Sequence, residues 1–183
     1  YLCGSTAHQV PGKYASLLEQ PLSEERSALI GIDLPRTFPK NAHFAQPHER
    51  ERMRRVLHAY ANHDPAVGYV QGMAFVAGAL LFYMEEEDAF WMLCTMMHKY
   101  NYHNALIQDF PFVKLCLTQL THLIKKFTPK LYERLHPGGR EESIVPVEFF
   151  SGVFVALLSD CLPWDLFTRV WDSSFLEEWK TIF

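Results

Sequence analysis

"AFVAGALLFYM", Ala74 to Met84, is apolar at nearly every position. A helix apolar nearly all round has no face to offer water, so it reads as one buried among other helices. It falls short of the roughly 18 or more uninterrupted apolar residues needed to span a bilayer, and the acidic "EEED", Glu85 to Asp88, ends it. A helix buried on every side needs neighbours with apolar stripes of their own. The flanking sequence supplies them.

Upstream, Met53, Val56, Leu57 and Tyr60 follow the i, i+3, i+4, i+7 spacing of one helix face, with Glu49, Arg50, Arg52 and Arg54 assigned to the opposite, solvated face. Downstream, Phe90, Leu93, Cys94 and Met97 repeat that spacing behind the acidic start, which suits the positive end of a helix dipole. A third stripe, Phe112, Leu115, Cys116, Leu120, Leu123 and Phe127, follows Pro111, a residue suited to a first turn. Val145 to Leu158 reads as another apolar helix, and "LPWDLFTRVWD" starts one more at Pro163. Loops are expected at His136 to Ser143 and Tyr100 to Pro111. There is no long alternating run and no Asn-Gly or Asp-Gly hairpin signal. The expected fold is all-α, a single domain over residues 1–183 with about seven to eight helices.

The 183 residues suffice for one domain with a sizeable core, and 49% hydrophobic and 14% aromatic content argue against disorder. The net charge of -4 disfavours a nucleic-acid surface. Cys3, Cys94, Cys116 and Cys161 lie far apart with no C-x-x-C pattern, and read as free thiols of an intracellular protein, three of them in helices. The chain opens without methionine and ends at "WKTIF" inside an apolar pattern, so it is expected to be incomplete at both termini.

Few residues carry recognisable chemistry. His58 and His63, like His98 and His103, are five apart, and lack the i, i+4 spacing of a helical zinc motif. No G-x-S-x-G elbow and no phosphate-cradling glycine loop is present. Two stretches remain. In "IGIDLPRTFP", Ile30 to Pro39, a helix meets two prolines, and Arg36 sits between them three residues after Asp33. One reading is a surface arginine paired with Asp33, worth under about 1 kcal/mol. The other is an arginine inserted into a partner's phosphate site, where its planar, permanently charged fork suits it better than lysine. In "DPAVGYVQGMAF", Asp64 to Phe75, Gly68 and Gly72 bracket Tyr69 and Gln71. Gln71 is either a polar helix cap beside a buried tyrosine or an amide able to accept from a water while donating to an oxyanion. Residue chemistry alone leaves both readings open.

Together these stretches resemble a known family. Ile30-x-x-Asp33-x-x-Arg36 followed by Tyr69-x-Gln71-Gly72 looks like the paired signature of the TBC domain of Rab GTPase-activating proteins. "LPWDLFTRVWD", with Pro163, Arg169, Trp171 and Asp172, resembles the family's third block, and the likeness runs from about "VPGKYASLL" to the end. The resemblance implies an arginine finger at Arg36 and a glutamine finger at Gln71, both supplied in trans to a GTP-bound Rab GTPase. It implies that Asp33 holds Arg36 or its loop, that Ile30 packs, that Tyr69 and Gly72 shape the Gln71 loop, and that Arg169, Trp171 and Asp172 are structural. GTP and Mg²⁺ would belong to the partner; the chain itself would need no cofactor or metal and would perform no chemistry alone. A role in vesicle trafficking follows, in the cytoplasm at the cytosolic face of endomembranes, with the GTPase or flanking domains recruiting the protein. The alternative within the same fold is a Rab-binding effector or scaffold that does not activate. Two positions depart from the family pattern: Val153, where a tryptophan is common, and Glu178, where a glycine is usual.

Overall fold

The computed structural model describes residues 9–100, 102–107, 109–135 and 155–177, and every regular element among them is helical. Nine α-helices are described: α1 (Lys13–Glu19), α2 (Glu24–Asp33), α3 (Pro47–His63), α4 (Met73–Leu81), α5 (Glu86–His98), α6 (His103–Leu106), α7 (Pro111–Phe127), α8 (Pro129–Leu135) and α9 (Trp164–Glu177). A 3-10 turn, Leu34–Arg36, extends α2. The described helices exceed the expected seven or eight. The short α6 forms inside the stretch expected to be loop, and Pro129 restarts the chain as α8.

Helix α3 is the hub, packing against α1, α2, α4 and α5. Its expected stripe holds: Met53, Val56, Leu57 and Tyr60 are all buried. Each such aliphatic side chain contributes about 1.5–3 kcal/mol relative to exposure. Helix α4 buries almost every residue, as a segment without a polar face must. Gly78 is where its neighbours come closest: a Cβ there would lie 3.0 Å from Met53 Sδ and 3.2 Å from the Phe38 ring. Polar contacts fasten the outer helices. Asn62 Nδ2 of α3 donates to Leu17 O at 3.0 Å and Gln20 O at 3.1 Å, the open carbonyl end of α1. The Tyr14 hydroxyl of α1 donates to Glu86 Oε1 at 2.6 Å in the first turn of α5.

Several expectations are corrected. The buried helix stops at Leu81, and Phe82 and Tyr83 beyond it are exposed. Glu49 is not on a solvated face. It is only 4% exposed, and Arg52 Nη1 donates to both its oxygens, at 3.2 and 3.0 Å. A carboxylate is stable in such a place only with charged donors around it. In α7 the buried residues are Val113 and Leu117, whereas Leu115, Leu123 and Phe127 of the expected stripe are exposed. Helix α7 packs against α6 and α8, and an apolar stripe is buried only where a neighbour covers it. Of the helix expected over Val145 to Leu158, only the end falls among the described residues. Val155 is helical and 156–161 form turns, with Leu157 and Leu158 at φ of 48° and 66°. Cys94 and Cys116 are helical, but Cys161 lies in that turn; all three are free thiols. Burial pushes the Cys94 thiol up to about 12, which keeps it protonated and inert. Cys3, Val153, Glu178 and the expected 136–143 loop lie outside the described residues.

Candidate functional site

Helix α2 begins at Ser23, whose Oγ accepts the Arg26 amide at 3.4 Å, with Glu24 and Glu25 in the first turn where the dipole favours anions. Ile30 and Asp33 form its buried side. Pro35 has no amide hydrogen, so regular α-helical bonding cannot pass it. The chain answers by tightening into the 3-10 turn. Thr37 closes that turn: its amide donates to Asp33 O at 3.1 Å and its Oγ1 to the same oxygen at 2.9 Å. Phe38 then takes φ of 46°, a left-handed conformation rare for so large a residue. Its ring supports that conformation by packing on Phe44, Phe75 and Trp164, with centroids 5.1–5.3 Å apart. Arg36 therefore has a fixed backbone between buried Leu34 and buried Thr37, while its own side chain is exposed.

The second stretch is built from the end of α3. Asp64 Oδ1 accepts the amides of Ala66 and Val67 at 3.2 and 3.4 Å, an Asx turn, while the Tyr60 hydroxyl donates to Oδ2 at 3.1 Å. Gly68 takes φ of 63° and Gly72 φ of 102°, both in the region that favours glycine. Gly72 also lies where a Cβ would sit 3.1 Å from Val155 Cγ1. Between them Tyr69 is buried and Gln71 exposed.

Asp33 joins the two stretches. Its Oδ2 accepts the Tyr69 hydroxyl at 2.6 Å and the Gly72 amide at 3.0 Å. One buried carboxylate oxygen thus grips the turn on both sides of Gln71, from a position three residues before Arg36. Charge-assisted bonds of this kind are roughly twice as strong as neutral ones. Burial, and then the hydrogen bond to Asp33, raise the Tyr69 hydroxyl well above the ordinary tyrosine range, so it stays a donor. The reading of Arg36 as an arginine paired with Asp33 is overturned. No ion pair or hydrogen bond of the Arg36 guanidinium occurs among the described residues, and the Asp33 carboxylate is turned inward.

The third block lies on α9. Trp171 is buried and donates from Nε1 to Leu157 O at 2.8 Å, while Pro163, Arg169 and Asp172 are exposed. Those residues are not brought to Arg36 directly. The connection runs through Phe38, whose ring meets Trp164 and Phe167 of α9. Sequence reasoning passed over Arg26, Thr37 and Phe38. Thr37 and Phe38 stand within the quoted motif but show no chemical signal. Arg26 looks like any polar residue of a helix start, yet it reaches the second stretch: Nη2 donates to Pro65 O at 2.9 Å. His63, His98 and His103 lie in a row with ring centroids 6.3–6.4 Å apart, His63 edge-on to His98 and His98 stacked on His103, but no metal-holding group of three or more His, Cys, Asp or Glu occurs among the described residues.

Known proteins share this arrangement of helices. The family model for the Rab-GTPase-TBC domain matches residues 5–183. Growth hormone-regulated TBC protein 1-A of Danio rerio is 31% identical over 191 residues, spanning 100% of this chain and 52% of that protein. The Rab GTPase-activating protein eat-17 of Caenorhabditis elegans is 30% identical over 183 residues, spanning 100% of this chain and 20% of its own length. The chain thus spans about half or less of these relatives. The crystal structure of the Chlamydomonas flagellar RabGAP TBC domain superposes with a TM-score of 0.79 at 25% identity, covering 99% of this chain and 60% of that one. With its two motif stretches joined through Asp33 and its length matched from residue 5 to residue 183, the chain belongs to the Rab-GTPase-TBC domain family.

Proposed function

We propose that this chain is a GTPase-activating domain that accelerates GTP hydrolysis by a GTP-bound Rab-family GTPase, with Arg36 and Gln71 supplied in trans. The observation that carries the reading is Asp33, which ties the turn presenting exposed Gln71 to the helix end presenting exposed Arg36. Arg36 neutralises charge developing on the transferring phosphoryl group, and the Gln71 amide orients the attacking water. Fingers of this kind change the rate by about 10³–10⁵, equivalent to roughly 4–7 kcal/mol at about 1.36 kcal/mol per tenfold. A surface ion pair supplies far less. GTP and Mg²⁺ belong to the partner, so the chain needs no cofactor of its own. Through its partner the domain acts in vesicle trafficking at the cytosolic face of endomembranes. No described helix is long and apolar enough to cross a membrane.

Single-turnover hydrolysis by a panel of Rab GTPases tests this reading. We expect acceleration of at least one member, with most of it lost in Arg36→Lys and in Gln71→Ala. Retained activity in either variant removes that residue from its role. Binding should tighten with a GDP–aluminium fluoride complex of the partner; indifference to it would make the domain a scaffold that grips without activating.

A further inference from the structure

We propose that Arg26 is a positioning residue for Gln71, a second fastening of α2 to the turn that carries the glutamine. The inference rests on the function proposed above. Its basis is how Arg26 is used. The side chain is half-buried, and among the described residues no carboxylate pairs with it. Its guanidinium is directed instead at backbone. Nη2 donates to Pro65 O at 2.9 Å, and Nη1 lies 3.5 Å from Ala61 O in the last turn of α3. The planar fork also lies against Gly68, where a Cβ would come within 2.7–2.8 Å of Cζ, Nε and Nη2. Glycine at 68 is favoured by its φ of 63°, and it leaves the room the guanidinium occupies.

Arg26 and Asp33 are seven residues apart, two helical turns, and so share one face of α2. Arg26 holds the 61–68 end of the connection and Asp33 holds the 69–72 end. With both in place the chain leading to Gln71 is fixed at each end to the helix that leads to Arg36. With only Asp33, the Pro65 carbonyl loses its side-chain donor and the start of the connection is left to the Asp64 turn alone. A displacement of about 1 Å at a catalytic group can cost up to about 100-fold in rate. Arg26 also caps the open carbonyl end of α3, which is a stabilising role in its own right. The test has to separate the two.

Arg26→Met keeps the apolar stem and removes the donors. We expect kcat for the stimulated reaction to fall about tenfold with KM for the GTPase changed less than about twofold, the pattern of an interaction realised only in the transition state. If Arg26 acts through Gln71, the effect disappears in a Gln71→Ala background but persists in an Arg36→Lys background, as expected for coupled and independent sites. Arg26→Lys, which keeps one donor for Pro65 O, should recover part of the rate. Amide hydrogen exchange on the same variants supplies a readout free of any GTPase: Arg26→Met should raise exchange across 66–72 by about tenfold or more, with α4 unchanged. An unchanged kcat, an equal loss in the Gln71→Ala background, or unaltered exchange over 66–72 overturns the proposal. If the unsubstituted chain accelerates no GTPase, the functional reading falls and the exchange result alone decides the fastening.

Discussion

Asp33 is a buried charge with a defined task. Its Oδ2 accepts two donors from the Gln71 turn, and removing one of them leaves a buried carboxylate short of a partner. Tyr69→Phe should therefore cost about 1.5–3 kcal/mol, the range for hydrogen bonds to charged groups, read as a lower urea midpoint with unchanged slope. Asp33→Asn keeps an oxygen with two lone pairs for both donors but removes the charge that strengthens each bond, and should cost about 1–3 kcal/mol. Both variants should also lower GTPase stimulation, although neither touches Arg36 or Gln71. Gly72→Ala is argued at the same scale. A φ of 102° with Val155 Cγ1 3.1 Å from the new Cβ should cost upwards of about 1–3 kcal/mol. That all these residues stand in two short motifs made them legible in sequence. That Asp33 grips the Gln71 turn rather than pairing with Arg36 was not legible, because the direction of a side chain at a helix end depends on what lies beside it.

At the scale of elements, the Arg36 turn depends on how α3, α4 and α9 pack. Gly78 lets α4 come close enough for Met53 of α3 and the Phe38 ring to occupy the same space. Gly78→Leu overfills that contact. Overpacking of this kind typically costs about 1–3 kcal/mol, and thermal unfolding should show it. Because Phe38 follows Arg36 by two residues, the same variant should lose stimulation of the GTPase beyond what reduced folding explains at 20 °C. Helices with one narrow stripe, such as α3, could be oriented from spacing alone. Helix α7 could not: its stripe has the same regular spacing, yet Leu115, Leu123 and Phe127 are exposed, because burial needs a neighbour against each residue as well as an apolar face.

Across the described residues, burial raises four tyrosine hydroxyls, at Tyr14, Tyr60, Tyr69 and Tyr102, above the ordinary value of 10.0. In the unfolded chain they ionise near that value; in the fold they stay protonated. The folded state then holds more protons above pH 10, so stability is fully present below that pH and falls as pH rises through it. Each such tyrosine contributes about 1.4 kcal/mol per pH unit to the slope. Urea midpoints should therefore drop steeply above pH 10, and Tyr69→Phe should reduce that slope by about one proton.

The sequence by itself determined the all-helical class, the buried identity of α4, the face of α3 and the positions of the two motifs. Each of these follows from local periodicity, from proline and glycine, or from residue type, which act over a few residues. Tertiary structure decided which oxygen holds which turn, why Glu49 is buried, which side of α7 meets the core and how Arg26 reaches Pro65. Those outcomes join residues 36 or more positions apart, or depend on which neighbour arrives first at a face with room for several. Periodicity holds no record of either.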